Sequence, residues 1–397
     1  LRQLDQGCAV MDDRVAEAEV EGAKFLLGIR PEQDDGATGG AGLVDAGYRT
    51  GYFGKWHIGS MRADGAASPG NSGFDDWFSS PNFYENSPLF SHNGQVIETD
   101  GESSHVTTDL ALDWIGKAAK SDKPFLAVIW FGNPHSPHVA VDKYKKMYAD
   151  QPDGAAHFYG EITAMDAALG ELRKGIRRLG VADNTVLWYC SDNGAIPKGS
   201  TGGLRARKGS LYEGGIRVPA IIEWPAGIPK PRITKYPAGA VDIFPTLAQV
   251  VGLPKSSMLQ PQDGLSLLPL FTKEIGPRKK VLPFRSRGRV AIIDNDYKLI
   301  SLPNKREPKL ELYNLAKDTA ETTNLFDKEP KIARRMQKQL EAANYSIEAS
   351  VAGKDYPGGK VGPQPPRIFW TELEAYRPYF EEWKNRPEYK ARLKKFN

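Results

Sequence analysis

The chain has 397 residues, of which 40% are apolar and 26% are charged, a composition typical of globular proteins with one large core and a smaller second one. A net charge of +4 is too small a surplus of lysine and arginine to indicate nucleic-acid binding. The 2 cysteines exclude a disulfide framework and a cysteine metal cluster, and the longest apolar run, residues 125–131, is too short for a membrane span, which needs about 20 residues.

The first predicted element lies in the sequence GYRTGYFGKWHIGS. A helix is expected to end at Gly47, and a strand is expected to follow through Tyr52 and Phe53. Lys55 and His57 come directly behind this short apolar strand. The sequence therefore places a cation and a titratable imidazole just beyond a strand end.

Strands and helices then alternate along the chain. TTDLALDWIGKAAK is predicted as an amphipathic helix with Thr107 or Thr108 as its N-cap. The apolar strand PFLAVIWF follows and ends in GNPHSPH, which contains His135 and His138. A helix from about His157 to Leu179 precedes a second apolar strand, NTVLWYC, which ends in SDNG. This alternation predicts an α/β fold with a doubly wound, mostly parallel central sheet flanked by helices.

Three predicted strands thus end in polar segments, GKWH, NPHSPH and SDNG. In open α/β sheets, ligands bind at the carboxyl ends of the strands, so we expect these side chains to converge at one edge of the sheet. A glycine-rich basic loop follows SDNG and includes Arg205, Arg207 and Lys208. Glycines and cations together indicate an anion site, with a solvated basic loop as the alternative.

The character of the sequence changes farther along the chain. RVPAIIEW is predicted as a strand and DIFPTLAQVVG as a helix. Short strands in GRVAIIDNDYKLISL and LELYNL, then a helix from about Pro330 to Asn344, predict a smaller α+β domain with an antiparallel sheet. The predicted domains are residues 1–276, residues 277–354, and a tail at 355–397 with an extended segment and a terminal helix.

Together these segments resemble the sulfatase family of the alkaline phosphatase superfamily. GYRTGYFGKWHIG matches the family's second signature, and NPHSPH is similar to its histidine-proline segment. SDNG with GLRARKGSLYEGGIRVPAIIEWPAG resembles its metal-ligand and lysine segment, and weaker similarity, as in LYNLAKDTAETTNL, extends to about Leu325. The resemblance implies hydrolysis of an aryl or carbohydrate sulfate ester by a formylglycine nucleophile made from a cysteine or serine.

The resemblance also implies metal-binding and substrate-binding residues. Asp192 and Asn193 would be calcium ligands, which fits the preference of calcium for hard oxygen donors. Lys55 and Lys208 would hold the sulfate oxygens, where negative charge develops during the reaction. These two lysines are expected at the floor of the crevice, with the neighbouring cations of the basic loop at its exposed rim, namely Arg205 and Arg207.

Two histidines receive catalytic roles from the same resemblance. His57 would sit beside the nucleophile and manage its proton, and His135 would assist the leaving group. His138 competes with His135, which is preferred because of its place in the family motif. A surface lysine beside a loop histidine, and a plain Asp-Asn-Gly turn, are the alternatives for the GKWH and SDNG segments. The remaining histidines have no matching context and are expected to be structural: His92, His105 and His157.

The amino end departs from the family pattern. LRQLDQGC resembles the family's helix shortly after its first metal-binding acids, so two calcium ligands are expected to be missing. KFLLGIRPEQ resembles the end of the nucleophile segment, but Cys/Ser-x-Pro-Ser-Arg does not occur in the sequence, and no nucleophile is found. Asp12, Asp13 and Cys8 are not expected to replace these groups. A fragmentary or frame-disrupted gene product and a noncatalytic relative both stay open.

Three functions are therefore considered. The first is a sulfatase, that is, a sulfuric ester hydrolase acting on a small-molecule or glycan sulfate ester. The second is a phosphodiesterase or phosphonate hydrolase of the same superfamily, against which GKWH and RKGSLYEGGIR argue. The third is a noncatalytic protein that binds sulfated glycans through Lys55, Lys208 and Arg205. No nucleic-acid partner and no membrane span are expected, and the resemblance implies a periplasmic, secreted or lysosomal setting, although no leader is visible in the sequence.

Overall fold

Two compact units make up the chain, an amino-terminal unit built mainly from Leu43–Leu187 and a carboxy-terminal unit built mainly from Trp188–Pro363. The described residues of Leu1–Glu21 belong to the carboxy-terminal unit. The domain boundaries expected from the sequence, after residues 276 and 354, stay predictions. The computed structural model describes residues 8–11, 15–16, 46–57, 68–80, 86–258, 260–354, 374–379, 381 and 384–385.

The strands of the described residues are short, and most lie in the two units' sheets. In chain order they are β1 (Cys8–Met11), β2 (Val15–Ala16), β3 (Arg49–Lys55), β4 (Asp76–Ser80), β5 (Phe90–His92), β6 (Gln95–Ile97), β7 (Phe125–Trp130), β8 (Leu187–Cys190), β9 (Ala220–Glu223), β10 (Arg232–Thr234), β11 (Ala238–Gly239), β12 (Leu282–Ser286), β13 (Arg289–Asp294), β14 (Tyr297–Leu302) and β15 (Lys309–Asn314).

Three of the helices are long, and none of the described helices combines the length and apolar content that a bilayer crossing requires. The α-helices are α1 (Ser103–Ala118), α2 (Asp142–Lys145), α3 (Asp153–Arg178), α4 (Glu213–Ile216), α5 (Ile243–Val250) and α6 (Pro330–Val351). Short 3₁₀ helices span Gly70–Ser72, Lys146–Tyr148, Ala182–Asn184, Ala240–Asp242, Lys255–Ser257, Leu268–Phe271 and Glu374–Tyr379.

The amino-terminal unit contains a five-stranded sheet in the order β6-β5-β4-β3-β7. Its centre is parallel, since β3 pairs in parallel with both β4 and β7, whereas β4–β5 and β5–β6 are antiparallel pairs. Helix α1 packs on this sheet and on α3. The Trp114 ring of α1 lies edge-on to Phe53 of β3 and to Phe125 of β7, with centroids 5.8 and 6.1 Å apart.

Helix α1 begins earlier than the sequence predicts. Its N-cap is Glu102, whose carboxylate accepts hydrogen bonds from the backbone N–H groups of Ser104 and His105. Thr107 instead lies inside the helix, where its hydroxyl donates to the carbonyl of Ser103 at 2.7 Å. The prediction of Thr107 or Thr108 as the cap is therefore wrong, because a capping carboxylate upstream already satisfies the first free N–H groups.

The carboxy-terminal unit contains a four-stranded sheet in the order β10-β1-β9-β8. Strand β1 pairs in parallel with β10 and antiparallel with β9. Cys8, which the sequence places in the helix of LRQLDQGC, instead begins a strand, because Cys8–Met11 have a bonded neighbouring strand on each side. The rest of LRQLDQGC lies outside the described residues. Backbone pairing on both edges satisfies the hydrogen-bonding groups of this segment without a helix.

A second sheet of this unit, β12-β13-β14-β15, is entirely antiparallel. Alternate residues of its strands face two different cores. One face packs on α6 through Ala333, Met336 and Leu340. The other face packs on the α4 region through Leu211 and Ile216. This confirms the predicted antiparallel sheet, although α6 continues to Val351, beyond the predicted end at Asn344.

The predicted fold class is confirmed as α/β, with helices flanking the sheets and an antiparallel sheet in the carboxy-terminal part. The strand directions are more mixed than expected, since β4–β5, β5–β6 and β1–β9 are antiparallel pairs. Of the tail, only residues 374–379, 381 and 384–385 are described, and Glu374–Tyr379 form a 3₁₀ helix. The terminal helix predicted farther on lies outside the described residues.

Candidate functional site

Two of the predicted polar segments leave the same edge of the five-stranded sheet. Strand β3 ends at Lys55, and β7 ends at Trp130, which lies opposite Gly54 in a parallel pair. Because neighbouring parallel strands end at one edge, the Lys55–His57 segment and the segment that contains His135 emerge side by side. The amino-terminal unit therefore brings three of the predicted site residues to one sheet edge.

An aromatic cluster holds the end of β3. The Tyr52 hydroxyl donates to the carbonyl oxygen of Lys55. The Tyr52 ring contacts Trp56 and Trp130 edge-on, with centroids 4.8 and 5.4 Å apart. The Trp56 N–H donates to the carbonyl of Ser80, at the end of β4, over 2.8 Å. Lys55 is only 4% exposed, so its charge acts where water is largely excluded and electrostatic interactions are strong.

His57 follows immediately and has a different environment. Its φ angle is 52°, in the left-handed region that is uncommon for residues other than glycine. The residue is exposed. Lys55 and His57 thus differ sharply in burial although they are two residues apart, which is compatible with a fixed cation beside an accessible acid–base group.

The two candidate histidines of NPHSPH are also in different environments. The His138 side chain is 3% exposed, and its Nδ1 lies 3.2 Å from Oε2 of Glu161. Glu161 also accepts a hydrogen bond from the backbone N–H of Val139, so His138 is part of a buried structural pair. His135 is partly exposed, with its Nδ1 2.7 Å from the carbonyl of Ser136. This difference favours His135 over His138 as the reactive histidine.

Glu102 is a supporting residue that the sequence reasoning missed. Besides capping α1, its Oε1 accepts a hydrogen bond of 2.7 Å from the Asn133 side chain, and that side chain also donates to the Ser104 hydroxyl at 3.1 Å. Burial raises the pKa of Glu102, and hydrogen bonds from the His105 and Ser104 backbone oppose the rise. The carboxylate thereby fixes the start of the His135 segment on α1. In the sequence, only the order Glu-Ser-Ser indicates an N-cap at Glu102. No neighbouring residue indicates the hydrogen bond from Asn133, which is distant in sequence.

The remaining histidines of the amino-terminal unit have structural contacts. His92 stacks on Phe78 with centroids 4.1 Å apart. His105 bridges Glu171 and Tyr144, with 2.7 Å from each ring nitrogen to its partner oxygen. His157 lies 3.0 Å from the backbone nitrogen of Ala140, whose hydrogen bond it accepts. These contacts agree with the structural role expected for these three residues.

In the carboxy-terminal unit, backbone hydrogen bonds join the SDNG turn to the basic loop. The turn begins just after β8, which ends at Cys190. The N–H of Gly194 donates to the carbonyl of Gly215 at 2.9 Å, and the N–H of Lys208 donates to the carbonyl of Ala195 at 3.1 Å. The segments that carry Asp192, Asn193 and Lys208 are thereby held against each other.

Glycines make this close approach possible. A Cβ atom added to Gly194 would lie 2.0 Å from the carbonyl oxygen of Gly214, and one added to Gly214 would lie 2.3 Å from that of Ala206. A Cβ at Gly215 would lie 2.2 Å from the carbonyl oxygen of Ser210. No other residue type fits such contacts without a shift of the backbone. These glycines therefore let backbone meet backbone and fix the shape of the loop.

A buried ion network anchors the same loop to the antiparallel sheet. Nζ of Lys298 lies 2.9 Å from Oε1 of Glu213 and 3.0 Å from Oε1 of Glu321, with all three side chains at most 1% exposed. Burial raises the pKa of Glu321, opposed chiefly by the Lys298 charge. Glu321 also accepts from the N–H of Glu213 at 2.6 Å. Helix α4 is thus tied to β14 and to the segment after β15.

The basic loop does not present its cations as expected. Lys208 is exposed, whereas Arg205 and Arg207 are half-buried. The Arg205 guanidinium lies 3.9 Å from the Tyr212 ring centre and donates to the Tyr313 hydroxyl at 2.7 Å. Arg207 donates to the carbonyl of Ile196 at 3.0 Å. The expected arrangement, with Lys208 at the floor and the arginines at the rim, is therefore wrong, because the planar forks of the arginines bind parts of the protein itself.

The described donors do not fit calcium by themselves. Asn193 donates to Oδ2 of Asp192 at 2.6 Å, so the amide and the carboxylate bind each other. Across the described ranges, no group of three or more His, Cys, Asp or Glu residues could hold a metal ion. Calcium takes 6–8 oxygen ligands. Calcium binding stays a prediction, and Asp12, Asp13 and KFLLGIRPEQ lie outside the described residues.

The six predicted site residues divide evenly between the two units. Lys55, His57 and His135 lie in the amino-terminal unit, and Asp192, Asn193 and Lys208 lie in the carboxy-terminal unit. Each set is brought together within its own unit by the contacts above. The prediction that all six share one site stays a prediction.

Two family models match the chain. The model described as Sulfatase matches residues 41–253, which include all six predicted site residues. The model described as N-sulphoglucosamine sulphohydrolase, C-terminal, matches residues 206–346, which include the antiparallel sheet and most of α6.

Proteins that are similar to this chain in sequence include sulfatases. A sulfatase of Formosa agariphila is 30% identical over 322 residues, covering 71% of this chain and 56% of that protein. Human arylsulfatase A is 26% identical over 371 residues, covering 78% of this chain and 71% of that protein. The chain spans about half the length of the first curated relatives that it matches.

The fold is shared with solved structures. Ps i-CgsB, crystallised in complex with a neocarrahexaose, superimposes with a TM-score of 0.69 at 22% identity. The match covers 86% of this chain and 79% of that protein. At this level of identity, the likeness shows that the architecture is shared.

Proposed function

Because this chain belongs to the sulfatase family, we propose that it recognises sulfate esters of carbohydrates and has the site of a sulfuric ester hydrolase. The observation that carries the proposal is Lys55, a cation 4% exposed at the end of a parallel strand. Exposed His57 follows it, and the His135 segment leaves the adjacent strand. A buried cation at a sheet edge from which two histidine-bearing segments emerge suits a reaction in which an anionic ester is held while protons move.

Each residue has a chemical role in this proposal. The Lys55 ammonium group would neutralise sulfate oxygens, and its effect is large because Lys55 is only 4% exposed and water is largely excluded there. Once a nucleophile is supplied, His57 would exchange a proton between solvent and that nucleophile, and His135 would protonate the sugar oxygen that departs as the sulfate group transfers to the nucleophile. Glu102 positions the His135 segment through Asn133. The roles of Lys55, His57 and His135 depend on neither calcium nor formylglycine, because the described donors do not fit calcium and the sequence has no Cys/Ser-x-Pro-Ser-Arg motif.

Carbohydrate is the proposed carrier of the sulfate. The structural neighbour Ps i-CgsB binds a neocarrahexaose, and another neighbour was solved with its substrate D-glucosamine-2-N,6-O-disulfate. We extend this substrate class to the present chain on the basis of its family. By the same relationship we place the protein in a periplasmic, secreted or lysosomal setting.

Turnover is expected to require a nucleophile that this sequence does not supply. The 397-residue chain should therefore hydrolyse an aryl sulfate no faster than buffer, because covalent catalysis needs the attacking group. A chimaera with a complete family amino terminus, co-expressed with the formylglycine-generating enzyme, should hydrolyse it. A matched chimaera with alanine at the nucleophile position is the control. Calcium-dependent turnover by the unmodified chain would show that the interpretation of the amino end is wrong.

Ligand-binding measurements distinguish a sulfatase site from the site of a phosphodiesterase or phosphonate hydrolase of the same superfamily. Wild-type chain titrated with a sugar sulfate and with the same sugar phosphate should bind the sulfate ester more tightly. A preference for the phosphate would favour the phosphodiesterase or phosphonate hydrolase alternative. Sulfate-ester binding by the chimaera without turnover would favour a noncatalytic glycan-binding protein.

A further inference from the structure

The segment of residues 133–140, which follows β7 and carries His135, is bound to a helix at each end. At its start, the Asn133 side chain donates to Oε1 of Glu102, the N-cap of α1, at 2.7 Å. Both partners are buried, so water does not compete for this hydrogen bond. The first residue of the segment is thereby fixed on α1.

The other end of the segment is held by α3. Oε1 of Glu161 accepts a hydrogen bond from the backbone N–H of Val139, and Oε2 lies 3.2 Å from Nδ1 of His138. One turn earlier on α3, Nδ1 of His157 accepts from the backbone N–H of Ala140 at 3.0 Å. Because residues four apart share a helix face, α3 binds two consecutive N–H groups of the segment from one side.

A glycine lets α3 come close to this end of the segment. A Cβ atom added to Gly160 would lie 2.8 Å from Cβ of Ala140 and 3.1 Å from the backbone nitrogen of Lys145. The helix would have to move away to make room for it. Helix α3 also packs on α1, which holds the start of the segment. Both attachment points therefore belong to one packed pair of helices.

His135 lies between the two attachment points. Its backbone N–H donates to the carbonyl of Gly132 at 3.1 Å, and its Nδ1 lies 2.7 Å from the carbonyl oxygen of Ser136. A carbonyl oxygen only accepts hydrogen bonds, so in the neutral ring the proton is on Nδ1 and the lone pair is on Nε2. This contact joins adjacent residues, and it therefore depends on the path of the backbone between the two ends.

Stability alone is a weak reason for a carboxylate at position 161. The side chains of Glu161 and His138 are at most 4% exposed. A buried pair of this kind is often no more stabilising than apolar residues of similar volume, because both groups lose their hydration. Apolar side chains, however, cannot accept the hydrogen bond of the Val139 N–H. The specific contribution of Glu161 is therefore to the path of the backbone.

We propose that Glu161 is a positioning residue for His135, because it fixes the end of the 133–140 segment and thereby the orientation and the tautomer of the His135 ring. The inference rests on the proposed function and deepens it, since His135 is the group proposed to protonate the departing sugar oxygen. As a hydroxyl nucleophile bonds to sulfur, the electron pair of the breaking S–O bond passes to the sugar oxygen. That oxygen takes the Nε2 proton of the imidazolium, and the neutral ring keeps its Nδ1 proton in the hydrogen bond to Ser136.

Nitrogen NMR of the ring tests the positioning role in the full chain without a ligand. The chain has 6 histidines, and in ¹⁵N-histidine-labelled protein the His135 signals are assigned by their loss in His135→Gln. At about pH 9, where an imidazole is neutral, wild-type His135 should be mainly in the Nδ1–H form. Glu161→Ala would leave His138 buried without its partner, so the double variant Glu161→Met/His138→Phe is used, which should keep the fold. Its ratio of Nδ1–H to Nε2–H forms at His135 should be about five- to tenfold lower, the effect of one lost hydrogen bond.

Two further variants separate positioning from a general effect on α3. Glu161→Gln keeps an oxygen that accepts from Val139, so it should preserve the His135 ratio within about twofold. Glu171→Gln is the matched control, because Glu171 is also on α3 and also binds a histidine, His105, at 2.7 Å. It should shift the His105 signals and leave those of His135 unchanged. A folded double variant with the wild-type ratio, or an equal change in Glu171→Gln, would overturn the inference.

Kinetics of the active chimaera give a second readout. The double variant should lower kcat for galactose monosulfate about five- to tenfold with little change in KM. The kcat for nitrophenyl sulfate should hardly change, because a nitrophenolate departs without a proton. Equal losses with both substrates would show a general distortion and would overturn the inference. A chimaera without turnover would instead count against the proposed function, and the NMR ratio would still decide whether Glu161 positions His135.

Discussion

The two lysines implied by the family resemblance are positioned in opposite ways. Lys55 ends a strand, is 4% exposed, and its backbone carbonyl is held by Tyr52, whose ring packs on Trp56 and Trp130. Lys208 is exposed on a loop whose shape depends on backbone contacts at Gly194, Gly214 and Gly215. The same residue type is thus buried at a strand end in the amino-terminal unit, whereas in the carboxy-terminal unit it is exposed on a loop whose backbone is the more constrained feature.

The largest effect is expected from a change in the loop backbone. In Gly214→Ala the new Cβ would lie 2.3 Å from the carbonyl oxygen of Ala206 and 2.5 Å from that of Arg205. Backbone atoms cannot move aside cheaply, so the free energy of unfolding should fall by about 3 kcal/mol or more. Urea denaturation followed by circular dichroism measures this change.

Gly276→Ala is the matched control in the same unit. A Cβ at Gly276 would have no neighbour within 4 Å, so the substitution should be neutral or slightly stabilising. Equal stability of the two variants would show that the loop can rearrange and that the glycines do not fix its shape.

Among the side-chain substitutions, the largest effect on ligand affinity is expected at Lys55, where β3 ends. Lys55→Met keeps most of the side-chain volume and removes the charge. The loss of a charge-assisted contact in a water-poor position should cost about 1.5–3 kcal/mol of binding free energy, or about one to two orders of magnitude in affinity for galactose monosulfate. Isothermal titration calorimetry gives the value, and an unchanged affinity would remove Lys55 from the site.

The strand ends were predictable from sequence, whereas the environments of the side chains were not. Apolar runs predicted β3, β7 and β8, because a buried parallel strand needs little else. The strand β4, DWFSS, has no such run and was missed, as were the three-residue strands β5 and β6. The α1 cap was misplaced for a related reason, since the partner of Glu102 is Asn133, distant in sequence.

The exposure of Lys208 and the contacts of the arginines could not be predicted either. Arg205 is oriented by Tyr212 and by Tyr313 of β15, over a hundred residues away. The sequence of a basic loop shows which residues are charged. It does not show which of those charged side chains already bind other groups of the protein. The sequence associates the glycines with an anion site, which stays a prediction, whereas the atoms that closely approach Gly194, Gly214 and Gly215 are backbone atoms of the protein itself.

A smaller effect concerns the pH dependence of the carboxy-terminal unit. Burial by itself would raise the pKa of Glu311, but hydrogen bonds from Lys309, Tyr212 and Tyr313 outweigh it and lower the pKa to about 2. A lowered folded-state pKa stabilises the fold above the ordinary value of 4.5, and this contribution is lost as the pH falls towards 2. Glu311→Gln should therefore be less stable than wild type at pH 7 by about 1–2 kcal/mol.

The stability difference should narrow as the pH falls below 4.5. Denaturation curves of wild type and Glu311→Gln between pH 7 and pH 2.5 measure it. A difference that stays constant over this range would mean that the charge of Glu311 does not contribute. Glu102, whose pKa is raised by burial, should show the opposite trend, with its contribution declining as the pH rises above 4.5.

The smallest effect is expected at Lys208. Because Lys208 is exposed, water and salt screen its charge. Lys208→Gln should weaken the binding of galactose monosulfate less than about fivefold, in contrast to Lys55→Met. Titrations of both variants at the same ionic strength make the comparison. Equal losses of galactose monosulfate affinity in Lys208→Gln and Lys55→Met would show that the buried and the exposed lysine do not differ in their contribution to binding.

The central claim is that this chain recognises a sulfate ester. Calorimetric titration of the wild-type chain with galactose monosulfate and with unsulfated galactose, under identical salt conditions, tests it most directly. We expect measurable binding of the monosulfate and at least tenfold weaker binding of galactose, since the sulfate contact with Lys55 is the main source of affinity. Equal affinity for the two sugars, or binding of neither, would contradict the claim.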